Sequence, residues 1–225
     1  MNIFIDKETR ELVPNTVLGV IKYSADIEKS SDELIDCFDS TMEKIGNSNE
    51  TKDIALMPHI KPTRSAYKAL GKDPHSYRGA AEQMLRRVIL KKGLYHVNNA
   101  VDINNIISVK SGYSIGSYDI SQIHGDVILK RAPEGTHYKG IGKDTYEYNV
   151  EFLPALFDDL GCFGNPSSDS QRTMLKNGNR EVLFVFYAFD GCDGLDYWMN
   201  ETERLLSTYC KNYKTLEKKI YSEIR

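Results

Sequence analysis

The chain has 225 residues, 40% of them apolar and 27% charged, a balance that suits a packed globular fold and excludes a collagen-like or disordered chain. No apolar run approaches the ~18 residues of a membrane helix, and residues 1–15 lack the apolar centre of a signal peptide, so a soluble, cytoplasmic protein is expected. The net charge of −3 hides a segregation: residues 61–92 hold nine Lys and Arg against Asp73 and Glu82, whereas residues 1–60 hold six against twelve acidic groups.

Residues 16–24 are β-branched and apolar and predict a strand. Ser30-Ser31-Asp32-Glu33 has the spacing of a capping box, and Leu34, Ile35, Phe38, Met42 and Ile45 follow at helical spacing until Gly46. The basic block predicts two helices. One spans 64–70 and closes at Gly71, with Pro74 beyond; the other spans 79–90 and buries Ala81, Met84, Leu85, Val88 and Ile89. A third covers 100–111 and stops at Gly112. Strands are predicted at 127–130, 146–149 and 182–187, with Gly, Asn, Asp and Pro between them. After a turn at 190–194 comes one long amphipathic helix, its stripe running through Leu195, Trp198, Met199, Thr202, Leu205, Leu206, Tyr209, Tyr213, Leu216 and Ile220. The class is α+β. Residues 1–54 supply a strand and a helix packed on the core, 55–190 the main domain, and 191–225 the terminal helix of the same unit.

Cys37, Cys162, Cys192 and Cys210 form no Cys-x-x-Cys pair, and the five histidines show no ligand spacing. Neither a disulfide framework, a metal nor a cofactor is called for. Gly112-Tyr113-Ser114-Ile115-Gly116 matches the nucleophile elbow of serine hydrolases, but the elbow needs a strand before its Ser and a helix after it. Here a helix comes first, so the segment reads as a turn. Gly140-Ile141-Gly142 lacks the third glycine of a dinucleotide fingerprint, and the 190–194 turn lacks the alternating oxygens of a calcium loop.

Residues 98–105 are harder to dismiss. Asn98, Asn99, Asp102, Asn104 and Asn105 crowd the first two turns of the third helix, opposite Val101, Ile103, Ile106 and Ile107. Asn and Asp are poor residues for a helix interior because they compete for backbone hydrogen bonds. One or two serve as caps; the remainder point to a ligand.

The stretch Leu85-Arg86-Arg87, then Val101-Asp102-Ile103-Asn104-Asn105, Gly112 and Tyr118-Asp119, resembles the B3/B4 editing domain of the phenylalanyl-tRNA synthetase β subunit. That family shows a Leu-Arg-Arg helix, a Val-Asp-x-Thr/Asn-Asn motif, a Gly and an aromatic-Asp pair. The register holds without a gap from Asp102 to Asp119, and the likeness covers roughly residues 55–190. Gly71-Lys72-Asp73-Pro74 is similar to the free-standing members of the family.

The resemblance implies a β-sandwich-like core with flanking helices, and a pocket that hydrolyses tyrosine from the 3′ end of tRNA. Carried over residue by residue, that pocket takes in Asn104 and Asn105, with Asp102, Gly116 and Gln171 beside them. Gly116 stands where the family has a His, and Gln171 near where it has an acidic residue. Ser117, Asp119 and His96 are then the candidates for activating water. The basic residues Arg64, Lys68, Lys72, Arg78, Arg86, Arg87, Lys91 and Lys92 would hold the tRNA backbone. The expected function is binding of tRNA or aminoacyl-tRNA, with trans-editing deacylation as its enzymatic form. The alternative is a module that binds or senses a free amino acid after losing its hydrolytic residues. No membrane or DNA partner is expected.

Overall fold

The computed structural model describes residues 1–142 and 147–224. In chain order it runs β1 (Ile3–Ile5), α1 (Lys7–Leu12), β2 (Val17–Ile27), α2 (Asp32–Ser48), α3 (Ile60–Ala69), α4 (Ala80–Ile89), α5 (Asn99–Ser111) and β3 (Ser114–Asp119). There follow β4 (Val127–Arg131), β5 (His137–Tyr138), β6 (Tyr148–Asn149), β7 (Pro154–Asp158), β8 (Gly161–Asn165), β9 (Ser168–Asp169), β10 (Gly178–Ala188), α6 (Leu195–Tyr209) and β11 (Lys214–Tyr221).

Two eleven-residue strands, β2 and β10, form the centre of an antiparallel sheet of order β11-β2-β10-β3. Residues 182–188 of β10 are buried without a break, because both faces of the strand are covered. Val182, Phe184 and Phe186 turn toward α2, α4, α5 and α6. Leu183, Val185 and Tyr187 turn toward a second sheet of order β1-β4-β7-β8-β9, meeting Ile3, Ile5, Val127, Leu129, Leu156 and Phe163. The result is three layers, helices on sheet on sheet, with β5 and β6 as a separate ribbon. Each fully buried Phe or Leu in these two cores contributes about 1.5–3 kcal/mol. The α+β class and the sandwich-like core with flanking helices are therefore observed.

Local differences from the predicted elements have physical causes. Helix α2 passes through Gly46 and ends at Ser48. Gly46 marks a close approach: a Cβ there would lie 3.0 Å from the carbonyl oxygen of Val88 on α4. That packing offsets the ~1 kcal/mol a mid-helix glycine costs. Helix α3 begins at Ile60, four residues before the predicted start.

The long terminal helix is the larger correction. It stops at Tyr209, Asn212 turns the chain at φ +54, and residues 214–221 become strand β11 along β2. Tyr213, Leu216 and Ile220 therefore lie beyond the helix, and only the 195–209 part of the stripe is helical. The exposed ladder of β2 supplies backbone partners that helical periodicity does not reveal. The strand predicted at 146–149 is observed at Tyr148–Asn149, and Tyr146 lies outside the described residues.

Candidate functional site

Helix α5 carries the polar run, and most of that run is consumed in holding the helix. Asn98 is the N-cap, its side chain accepting from the Val101 amide at 3.0 Å. Asn99 accepts from the Glu28 amide at 3.2 Å and donates to the Asp26 carbonyl at 2.9 Å, tying the helix to the end of β2. Asp102 is fully buried and accepts from Ser30 Oγ at 2.7 Å and the Val97 amide at 3.0 Å, with His96 Nδ1 also 3.0 Å away. Its carboxylate is therefore spent on protein groups, and Asp102 anchors the scaffold instead of lining a pocket.

Asn104 and Asn105 are placed differently. Ser117 Oγ on β3 donates to Asn104 Oδ1 at 2.9 Å, and Asn104 Nδ2 lies 3.4 Å from Asn105 Oδ1. Asn104 is 7% exposed, while Asn105 and Ser117 are half-buried. These three side chains form a polar cluster between α5 and the edge strand β3.

The proposed water-activating groups do not gather there as a set. Ser117 donates to an amide, which is no base. Asp119 accepts from the Ser121 amide at 3.0 Å and its hydroxyl at 2.6 Å, closing the turn after β3, with Arg180 Nε 3.7 Å away. His96 lies between Asp102 and Asp39, the latter at 3.5 Å, and packs on Phe38 with ring centroids 4.7 Å apart. Among the described residues no hydrogen bond or ion pair joins His96 to Ser117 or Asp119.

Gly116 and Ser117 are consecutive on a strand, so they face opposite sides of the sheet. Ser117 points to the helices; Gly116 and Tyr118 point to the second sheet. The Tyr118 ring folds back over Gly116: a Cβ at 116 would lie 2.1 Å from Tyr118 Oη, and one at Gly164 2.2 Å from it. Tyr118 Oη donates to Asp169 Oδ1 at 2.7 Å, and the Tyr187 hydroxyl is 2.7 Å from it. Burial pushes Asp169 up to about 7, although the Tyr118 hydrogen bond opposes this. Burial likewise raises both tyrosines well above their usual range. Gln171 stays on this sandwich side, donating to the Gly140 carbonyl at 3.1 Å and holding a loop.

The expected pocket is thus divided by the sheet. Asn104 and Asn105 lie on one face, Gly116 and Gln171 on the other. Sequence reasoning missed the Tyr118–Asp169–Tyr187 network, because only the pair Tyr118-Asp119 drew notice and Ser168-Asp169-Ser170 reads as loop.

The basic block also sorts into unlike parts. Glu82, 2% exposed on α4, receives Arg64 Nη1 at 3.0 and 3.1 Å and Arg86 Nε at 3.2 Å, with Arg78 Nε 3.4 Å away. Three guanidiniums thus share one carboxylate, leaving two positive charges in excess. Lys72 is withdrawn from any such surface. It is 6% exposed, donates to Asn149 at 3.2 Å, lies 4.2 Å above the Tyr77 ring, and burial lowers its pKa. Arg87 donates to the carbonyls of Gly93 and Lys92, Lys91 reaches Asn47, and Lys68 and Lys92 are exposed.

Comparison with known proteins adds the following. A family model described as the B3/4 domain matches residues 62–193. The phenylalanine–tRNA ligase β subunit of Aquifex aeolicus is 23% identical over 125 residues, covering 48% of this chain and 16% of that protein. The β subunit of Bifidobacterium longum is 26% identical over 69 residues, covering 31% of this chain and 8% of that protein. This chain thus matches well under a fifth of the length of those curated relatives. The crystal structure of an N-terminal fragment of the Pyrococcus horikoshii phenylalanyl-tRNA synthetase β subunit aligns with a TM-score of 0.47 and 12% identity, over 100% of this chain and 51% of that chain. Among the described residues no helix is long and apolar enough to cross a membrane.

Proposed function

The chain belongs to the B3/4 domain family, and from that premise we propose that it binds the aminoacylated end of a tRNA. The observation that carries this reading is the convergence of Arg64, Arg78 and Arg86 on the single buried Glu82. Their excess positive charge is fixed in position, as a phosphate-binding face requires. Asn104, Asn105 and Ser117 receive the polar atoms of the aminoacyl group, a recognition mode in which unmet buried donors and acceptors penalise the wrong ligand.

The reading is binding without hydrolysis. Ser117, Asp119 and His96 are each engaged with other protein groups, and the Tyr118 ring fills the space above Gly116 where the resemblance implies a histidine. The amino-acid-sensing alternative uses the same asparagines and leaves the arginines without a ligand.

Titrating the protein with tRNA at several salt concentrations tests this. The pair Arg78→Ala and Arg86→Ala leaves Arg64 on Glu82 and keeps the fold. It should lower tRNA affinity and flatten the salt dependence by nearly two units of slope, since each lost phosphate contact removes about 0.9. Unchanged affinity and slope would overturn the reading.

A further inference from the structure

At the end of the central sheet where β3 begins and β10 ends, a cleft of 420 Å³ is lined by Met57, Leu85, Val109 and Trp198. Two basic side chains, His59 and Lys110, line it as well. The volume falls in the ~300–1,000 Å³ range of small-molecule sites, and an apolar lining with a few placed polar groups is their usual composition.

Both basic groups are held by acidic partners. His59 Nδ1 is 2.8 Å from Asp190 Oδ2, and Lys110 Nζ is 3.2 Å from Glu201 Oε1. Glu201 also receives Arg204 at 2.8 and 2.9 Å, so the Lys110 end of the rim carries a cation in excess, while the Asp190 end offers a carboxylate whose partner is the His59 ring. His59 is the N-cap of α3 and sits at φ +60, uncommon for a residue with a Cβ. The Asp190 contact and a stack on Tyr113, with ring centroids 3.7 Å apart and planes at 16°, fix its ring there. The Tyr113 hydroxyl is buried and has no hydrogen-bond partner among the described residues. Unusual backbone and an orphaned hydroxyl are features that a folded chain retains at sites more than in plain core.

We propose that this cleft is a second ligand site, for a small zwitterion with an apolar body such as a free α-amino acid. The carboxylate meets Lys110, the ammonium meets Asp190, and the side chain lies on Met57, Leu85, Val109 and Trp198. A rim with a cation at one end and a carboxylate at the other suits a zwitterion over a simple anion, because each end of the ligand then finds an opposite charge. The site is independent of the tRNA reading.

Calorimetric titration of the full chain with L-leucine, L-methionine and L-phenylalanine tests it, alongside isocaproate and isoamylamine, which are leucine without its amine or without its carboxylate. At least one amino acid should bind, and leucine should bind about tenfold more tightly than either truncated analogue. Lys110→Met keeps Glu201 paired with Arg204 at 2.8 and 2.9 Å and should weaken amino-acid binding about tenfold. His59→Asn, which tolerates the left-handed backbone, provides a second variant with the same expected loss. Asn105→Ala should leave this binding unchanged. Absence of binding for every amino acid overturns the proposal. So does equal binding of isocaproate, or loss in Asn105→Ala with Lys110→Met unaffected.

Discussion

The two faces of strand β3 treat their polar groups in opposite ways. On the helix face, Ser117, Asn104 and Asn105 form a loose chain that ends in a 3.4 Å contact to the half-buried Asn105. On the sandwich face, Tyr118, Asp169 and Tyr187 satisfy one another at 2.7 Å and leave no space, so that even a Cβ on Gly116 is excluded. Buried polar groups that are mutually satisfied rigidify a core, whereas partly satisfied groups near a surface are available to a ligand. The difference assigns stability to one face of the strand and recognition to the other.

The largest expected effect that sharpens this contrast is the pH dependence of stability. Asp169 is raised to about 7 in the folded state against 3.8 for the ordinary carboxyl. Between those values the folded state binds more protons than the unfolded one, so stability falls as pH rises from about 4 to about 7, by on the order of 4 kcal/mol. Asp169→Asn should remove that slope, as urea unfolding at a series of pH values would register.

Gly116→His, which installs the residue implied by the family resemblance, should cost about 3 kcal/mol, because Tyr118 must leave its place and its hydrogen bonds. Denaturant midpoints compare it with wild type; a neutral result would mean the sandwich face has room. Tyr118→Phe keeps the ring but deprives Asp169 of its donor, and a loss of about 2 kcal/mol is expected at neutral pH. The smallest effect lies on the other face. Asn105→Ala should change stability by less than about 0.5 kcal/mol, since it is half-buried and makes one long contact.

Much of the helical scaffold was legible in the sequence because its signals are local. Gly79 precedes α4 and Gly112 at φ +83 ends α5, as residue type and spacing imply, whereas the cap of α2 is Ser31, one residue on from the capping-box spacing, because Ser30 is turned to Asp102. The continuous apolar run at 182–187 reads directly as a strand, and the structure covers it on both sides. What stayed hidden depends on partners distant in the chain. Strand β11 exists because β2 offers an edge almost two hundred residues earlier, and Gly46 is kept in a helix by Val88 of another helix.

The candidate site was legible in composition and not in geometry. Five polar residues in the α5 segment pointed to a function, yet only their neighbours in space show that Asn98, Asn99 and Asp102 are structural. Likewise, charge alone grouped Lys72 with Arg86, although one is buried against Tyr77 and Asn149 and the other joins the cluster on Glu82. Alternation along a strand explains why Gly116 and Asn104, matched to one pocket by motif, face different layers.

The central claim is that the helix face of β3 recognises an aminoacyl group while the arginines hold the tRNA. Equilibrium binding of the same tRNA, charged and uncharged, to wild type and to Asn105→Ala tests it most directly. The account predicts tighter binding of the charged tRNA by wild type, and equal binding of both forms by the variant at the affinity of the uncharged one. Equal binding of charged and uncharged tRNA by the wild-type protein would contradict it.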